Sequence, residues 1–124
     1  MNAAGAIDGL HLMANLHGCT GAESLLREVA ALRVRCLALV AEAGLAAVGE
    51  CFHQFDDGGG VTGVVVLAES HLSIHTWPEK RFVTLDVFVC NMNCDNRAKA
   101  RNLFNTLVEC FKPGDMRFYE VERG

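Results

Sequence analysis

The sequence predicts an α+β fold: a two-layer sandwich in which a mainly antiparallel sheet carries two helices on one face. The chain has 124 residues, of which 51% are hydrophobic, so one compact domain spanning residues 1–124 is expected. Short apolar segments separated by turn residues are typical of strands, and two longer segments repeat apolar residues at helical spacing. Their order, β-α-β-β-β-β-α-β, favours an antiparallel sheet covered on one side by both helices.

The first two predicted elements are a strand and a long helix. Residues 9–16 partly alternate between apolar and polar side chains, which predicts a strand. Thr20 and Glu23 have the spacing of a capping box, so a helix is expected from there to Ala43. Gly44 follows as a natural helix stop. The apolar stripe of this helix consists of Leu25, Val29, Leu32, Cys36 and Val40.

Four strands are predicted in the middle of the chain. Residues 46–54 form the first of them and end at the glycine-rich loop 56–60, the strongest break in the sequence. Residues 61–68 are typical of a buried strand, residues 71–76 alternate, and residues 82–90 form another apolar strand.

The last two predicted elements are a helix and a short strand. Asp95 or Asn96 supplies a cap for a helix that runs to about Phe111, where a Lys-Pro-Gly sequence ends it. Residues 117–121 form the final strand. The apolar stripe of the helix consists of Leu103, Phe104, Leu107, Val108 and Phe111.

Composition argues against several classes of function. The net charge is −4 and the basic residues form no runs, so no nucleic-acid partner is expected. No apolar stretch is long enough to span a membrane, and Met1 to Gly9 lacks the pattern of a secretory signal. We therefore expect a cytoplasmic protein whose six cysteines stay reduced.

The side chains best suited to catalysis or metal binding lie between Glu69 and Thr76. If this segment is extended, His71, Ser73 and His75 share one face of a strand, and the Cys90 thiol could join them. Three interpretations stay open at this point. The residues could be an exposed polar face, part of a metal site, or part of a serine hydrolase, although the GxSxG motif of many hydrolases is absent.

The motifs AESHLSIHTWPE and LDVFVCN resemble those of the prokaryotic S-adenosylmethionine decarboxylases. The segments GLHLMANLHGC, AGLAAVGECFHQF and VERG are similar to the same family, so the resemblance covers almost the whole chain. Several motifs at matching spacing are far more specific than a single short motif.

This resemblance implies a proenzyme that cuts itself between Glu69 and Ser70. The Ser70 hydroxyl would attack the Glu69 carbonyl and convert the peptide bond into an ester. Elimination from that ester would separate a β chain, residues 1–69, from an α chain, residues 70–124. Ser70 would become a covalent pyruvoyl group that forms a Schiff base with the substrate amine, without a metal or a diffusible cofactor.

The resemblance also implies roles for three further residues. His75 matches the histidine that removes the Ser70 α-proton during processing, and an imidazole suits that task at neutral pH. Thr62 stands where many relatives carry a serine that assists processing. Cys90 matches the cysteine that protonates the substrate carbon after decarboxylation.

Substrate recognition is the least specific part of the resemblance. Phe55 and Trp77 are the candidates for stacking on adenine, and Glu79 is the candidate for binding the ribose hydroxyls. Asp56 and Asp57 lie in the loop 56–60, which stands where many members of the family it resembles have a shorter loop with a proline. They could instead bind the distal cation of ornithine or arginine, so a decarboxylase of either amino acid is the alternative.

The resemblance implies a homodimer in which two protomers together build each active site. Its product would be the aminopropyl donor for spermidine synthesis. A third possibility is a non-catalytic regulatory homologue, which would not cleave itself.

Overall fold

The computed structural model describes residues 8–91 and 94–124. One six-stranded sheet, antiparallel at every strand pair, has the order β2-β3-β4-β5-β1-β6. The strands are β1 Gly9–His17, β2 Ala47–Gln54, β3 Val61–Leu67, β4 Ser70–Trp77, β5 Phe82–Cys90 and β6 Asp115–Arg123. The α-helices are α1 Glu23–Arg27, α2 Val29–Glu42 and α3 Arg97–Phe111, and a 3₁₀ turn spans Pro78–Lys80. The predicted α+β class is confirmed, with three α-helices instead of two.

The core lies between the sheet and the helices. Every second side chain of β1, β3, β4 and β5 is buried, as expected for strands with one face against a core. The stripes predicted for the helices face this layer. The largest fully buried side chains are Phe111, Leu10, Leu12, Leu16, Leu26, Leu32, Leu72, Ile74, Leu85, Leu103, Leu107 and Val40.

The prediction of a single helix between residues 20 and 43 is wrong, because two helices, α1 and α2, meet at Glu28. Glu28 has extended backbone angles, φ −114° and ψ 118°. The predicted capping box is also absent, since the Thr20 hydroxyl donates to the Lys112 carbonyl oxygen at 3.0 Å. The first N–H of α2, on Val29, instead donates to Oε1 of Gln54 at 2.8 Å. A tertiary contact with β2 thus satisfies the first N–H of α2, a helix start that no local spacing in the sequence indicated.

The positions of α3 and β6 agree with the predicted helix and final strand to within a few residues. Asp95 Oδ1 accepts a hydrogen bond from the Arg97 N–H at 3.0 Å, whereas the Asn96 side chain does not cap the helix. The final strand was predicted too short, as residues 117–121. It is longer because β6 pairs with β1 along its whole length, from Gly9 opposite Arg123 to His17 opposite Asp115.

The face of the sheet turned away from the helices has no covering layer among the described residues. We call it the open face. Alternation and register place on it every histidine of the chain: His11, His17, His53, His71 and His75. Within the described residues, no helix is long and apolar enough to cross a membrane, and all six cysteines are free thiols.

Candidate active site

Ser70 is the first residue of β4 and follows a tight hairpin turn. Leu67 of β3 pairs with Ser70 of β4, so Ala68 and Glu69 form the turn between them. Glu69 has φ 54°, a left-handed conformation. For a residue with a side chain this conformation costs about 1–2 kcal/mol. The peptide bond predicted to be cut therefore directly follows a strained residue.

The Ser70 side chain contacts the end of β5. The backbone N–H of Cys90 donates a hydrogen bond to Ser70 Oγ over 3.1 Å. Cys90 is the last residue of β5 and is 8% exposed. Pairing of β4 with β5 produces this contact, since His71 lies opposite Phe88. Two residues that are 20 positions apart in sequence are thus adjacent in the fold.

A cavity of about 410 Å³ opens beside Ser70. Both residues of the predicted cleavage site contribute to its wall, together with side chains of the open face and the end of the chain. The lining residues of this Ser70 cavity are Glu69, Ser70, His71, Phe88, Arg123 and Gly124.

Thr62 and His75 form a second pair on the open face. Thr62 lies opposite His75 in the β3–β4 register, and its Oγ1 is 2.9 Å from His75 Nδ1. The His75 and Trp77 rings are 5.9 Å apart between centroids. A pocket of about 190 Å³, the Trp77 pocket, lies beside this pair. Its lining residues are Phe55, Gly59, Thr62, Thr76 and Trp77.

The two pairs lie at opposite ends of β4. Ser70 and His75 are five positions apart on one extended strand, a separation of roughly 16 Å along the chain. Sequence analysis placed His71, Ser73 and His75 on one face, and the register agrees. It also grouped them near Cys90, and that is wrong for His75, because residues sharing a strand face are spread along the strand.

His11 is a residue of this region that sequence analysis missed. Its ring lies 6.3 Å from the His71 ring and 5.9 Å from the Phe88 ring, and Nε2 is buried without a hydrogen-bond partner among the described residues. Burial lowers the pKa of His11; nearby Asp86 raises it, and Arg123 lowers it. The imidazole is therefore biased toward its neutral form. No motif indicated this, because only the β1–β5 register brings His11 to Phe88.

The other candidate residues are at the surface. Glu79 lies in the 3₁₀ turn, and Asp56 and Asp57 lie in the loop after β2; all three are exposed and stand outside the walls of both cavities. In residues 8–91 and 94–124, no group of three His, Cys, Asp or Glu side chains is arranged to hold a metal ion.

Comparison with known proteins identifies the family. The model of the S-adenosylmethionine decarboxylase family matches residues 10–124. The chain belongs to the S-adenosylmethionine decarboxylase family. This family consists of pyruvoyl-dependent carboxy-lyases, and the resemblance seen in the sequence motifs is confirmed.

Relatives from distant organisms support this membership over nearly the full length. The S-adenosylmethionine decarboxylase proenzyme of Archaeoglobus fulgidus is 40% identical over 118 residues, 95% of this chain and 99% of that protein. The proenzyme of Moorella thermoacetica is 37% identical over 116 residues, 94% of this chain and 87% of that protein. The crystal structure of the adenosylmethionine decarboxylase from Aquifex aeolicus has a TM-score of 0.82 and 32% identity, covering 95% of this chain and 92% of that one.

Proposed function

We propose that this family member is a self-cleaving decarboxylase of S-adenosylmethionine that is cut between Glu69 and Ser70. The observation that carries the proposal is the geometry of that bond. Glu69 is held at φ 54°, and the adjacent Ser70 Oγ accepts a hydrogen bond from the Cys90 N–H at 3.1 Å. The fragments would be residues 1–69 and 70–124, and the product would serve spermidine synthesis as an aminopropyl donor.

The bonds made and broken during processing can be followed at Ser70. Oγ attacks the Glu69 carbonyl carbon, the amide C–N bond breaks, and the nitrogen takes up the hydroxyl proton to become an amine. A base then removes the Ser70 α-proton and the Cβ–Oγ bond breaks, so that Oγ leaves with Glu69 as a carboxylate. Water releases the nitrogen as ammonia and leaves a keto group. The Cys90 N–H stabilises negative charge that develops on Oγ during the elimination.

The base for this elimination comes from a second copy of the chain. His75 has the appropriate chemistry, and with its Nδ1 proton donated to Thr62 Oγ1 its Nε2 would be free to accept a proton. It lies too far along β4 to reach Ser70 of its own chain. A homodimer that pairs two open faces would bring Thr62 and His75 of one protomer toward Ser70 and Cys90 of its partner. Burying this face would also stabilise a chain of only 124 residues.

The residues around Ser70 fit a pyruvoyl group. Its serine precursor already lines a cavity of about 410 Å³, so a keto group formed there would be accessible to a substrate amine. Once formed, the pyruvoyl group supplies an electron sink for the bond between the substrate α-carbon and its carboxylate. Cys90, adjacent to Ser70, would supply the proton that replaces the carboxylate.

The Trp77 pocket supports S-adenosylmethionine as the substrate. Phe55 is 50% exposed and Trp77 is 36% exposed, so both offer aromatic surface to a ligand. An aromatic face attracts a cation such as a sulfonium and stacks on a planar base. A paired protomer would set this pocket beside the Ser70 cavity of its partner.

Intact-mass measurement and a substrate assay test the proposed function. The purified wild-type chain should give two fragments divided after Glu69, and a Ser70→Ala variant should give one uncut chain. CO2 release is then measured side by side with S-adenosylmethionine, ornithine and arginine. We expect CO2 only from S-adenosylmethionine. An uncut wild-type chain would contradict the proposed self-cleavage. Release of CO2 from ornithine or arginine, and not from S-adenosylmethionine, would contradict the proposed substrate.

A further inference from the structure

Arg123 has an unusual position at the end of β6. It lines the Ser70 cavity, and its guanidinium carbon lies 5.1 Å from the centre of the Phe88 ring. Among the described residues its side chain makes no hydrogen bond or ion pair, although every other arginine of the chain has a polar side-chain contact there. Those arginines are Arg27, Arg33, Arg35, Arg81, Arg97, Arg101 and Arg117.

The register explains why Arg123 differs from its basic neighbours. Glu120 and Glu122 are on the helix side of β6, where they bind Arg101 and Arg97 of α3. Arg123 has the opposite orientation, because alternation places it on the open face beside Gly9 of β1. Its charge acts on the open face, where it lowers the pKa of His11, although burial is the larger cause of that shift.

We propose that Arg123 binds the α-carboxylate of the substrate, an inference that rests on the proposed function. The substrate is an α-amino acid, so its carboxylate is two bonds from the amine that must reach the keto group formed from Ser70. The carboxylate therefore lies inside the Ser70 cavity. Among the residues that the structure describes, Arg123 is the only arginine or lysine on the wall of that cavity.

A guanidinium is well suited to this contact. It binds a carboxylate through two parallel hydrogen bonds, and the Phe88 face holds its plane by a cation–π contact. The product has lost the carboxylate, so Arg123 would bind the substrate and release the amine. Because the ion pair weakens as the carboxylate becomes CO2, Arg123 contributes more to substrate binding than to the chemical step.

Binding of a matched ligand pair tests the role of Arg123. S-adenosylmethionine and its decarboxylated amine share the sulfonium and the nucleoside and differ in the carboxylate. For Arg123→Gln we expect Kd for S-adenosylmethionine to rise at least about tenfold, the loss of one charge-assisted contact, with little change for the amine. Arg117→Gln is the control, because Arg117 is on the same strand and the same face.

Two further measurements separate substrate binding from processing. Ser70→Ala, alone and combined with Arg123→Gln, allows the same ligand comparison in chains that are not cut. In the cleaved enzyme, Arg123→Gln should raise KM more than it lowers kcat. If Arg123→Gln weakens the binding of both ligands equally, or of neither, Arg123 does not bind the carboxylate, while the proposed function stays intact. A wild-type protein that binds neither ligand would overturn both.

Discussion

At the scale of single residues, the backbone of Glu69 is the feature closest to the proposed chemistry. Four described residues with side chains have a left-handed conformation with positive φ, and two of them are Glu69 at φ 54°, at the proposed cleavage site, and Lys112 at φ 46°, at the end of α3. This conformation costs about 1–2 kcal/mol, and glycine adopts it freely. The two positions therefore form a matched pair for testing whether the strain assists cleavage.

We expect Glu69→Gly to slow self-cleavage by about fivefold or more, because strain of about 1 kcal/mol would no longer be released when the bond is attacked. Lys112→Gly relieves the same kind of strain elsewhere and should cleave at the wild-type rate. Densitometry of fragments against time after synthesis measures both rates. Identical time courses for wild type and Glu69→Gly would show that the left-handed turn contributes nothing to cleavage.

Thr62 gives a second prediction at this scale. Thr62→Val keeps the shape of the side chain and removes the hydroxyl 2.9 Å from His75 Nδ1, so the imidazole loses the contact that orients it. We expect cleavage to slow by about tenfold or more, as for a misplaced general base. Thr62→Ser retains the hydroxyl and should stay near the wild-type rate, which separates the hydrogen bond from the methyl group. Rapid cleavage of the valine variant would rule out this positioning role.

Sequence reasoning gave no role to His11 or Arg123, although both lie in segments, GLHLMANLHGC and VERG, that resemble the family. Glu69, Ser70 and His75 were identifiable from the motif around them. His11 and Arg123 became visible only when β1 and β6 were aligned on the sheet. Which residues of separate strands become neighbours depends on pairing over the whole chain, and no local pattern encodes it.

At the scale of secondary-structure elements, the strands were predicted better than the helix boundaries. All six predicted strands lie within a few residues of the observed ones. Alternation indicated the strands at residues 9–16 and 71–76, whose buried side chains share one face of the sheet. The break at Glu28 was not predictable, because Gln54 of a later strand supplies the hydrogen bond that begins α2. Thr20 likewise bonds to the distant Lys112 instead of capping its own helix.

One ion pair between α3 and β6, Arg101 with Glu120, is expected to weaken in acid. Arg101 donates two hydrogen bonds to the Glu120 carboxylate, at 2.6 and 2.9 Å, and these bonds hold the pKa of Glu120 below its ordinary value. The unfolded chain therefore binds a proton more readily than the folded chain. The contribution of this pair to stability is present above the ordinary carboxyl pKa and is lost as pH falls through the lower, folded value.

Glu120→Gln should therefore lower the urea midpoint of unfolding at neutral pH. On acidification, the midpoint of this variant should fall by less than the midpoint of the wild type. Glu109→Gln is the control, since Glu109 is exposed on α3 and has no ion pair among the described residues. Urea unfolding followed by circular dichroism at neutral pH and near pH 3 measures both effects. If acid lowers the urea midpoint equally in the wild type and in Glu120→Gln, the Arg101–Glu120 pair does not contribute to the pH dependence of stability.

At the scale of the whole molecule, the described residues 8–91 and 94–124 cover one face of the sheet and leave the open face without a layer. The helices bury one face, while the open face carries all five histidines and exposed apolar side chains such as Val66 and Val121. Exposed apolar side chains on an uncovered sheet face favour association, and two-fold pairing is the commonest form. The proposed pairing would also bring a His75 to Ser70, two residues that a single chain leaves roughly 16 Å apart along β4.

A mixed dimer tests the shared site directly. A chain with His75→Ala keeps Ser70 and Cys90, and a chain with Ser70→Ala keeps Thr62 and His75. Each expressed alone should stay uncut, because every dimer lacks either the base or the nucleophile. When the two are co-expressed with distinguishable tags, we expect only the His75→Ala chain to be cut. With equal amounts and random pairing, about half of those chains would have a complementary partner.

The identity of the cut chain shows whether the base comes from the same chain or from its partner. Cleavage of the His75→Ala chain requires a base from another copy, since its own residue 75 has no titratable side chain. If both chains stay uncut although mass spectrometry detects the mixed dimer, His75 does not act across the interface. If the His75→Ala chain is cut when expressed alone, another base serves the elimination, and His71, which follows Ser70 on β4 and lines the same cavity, is the nearest histidine on the open face.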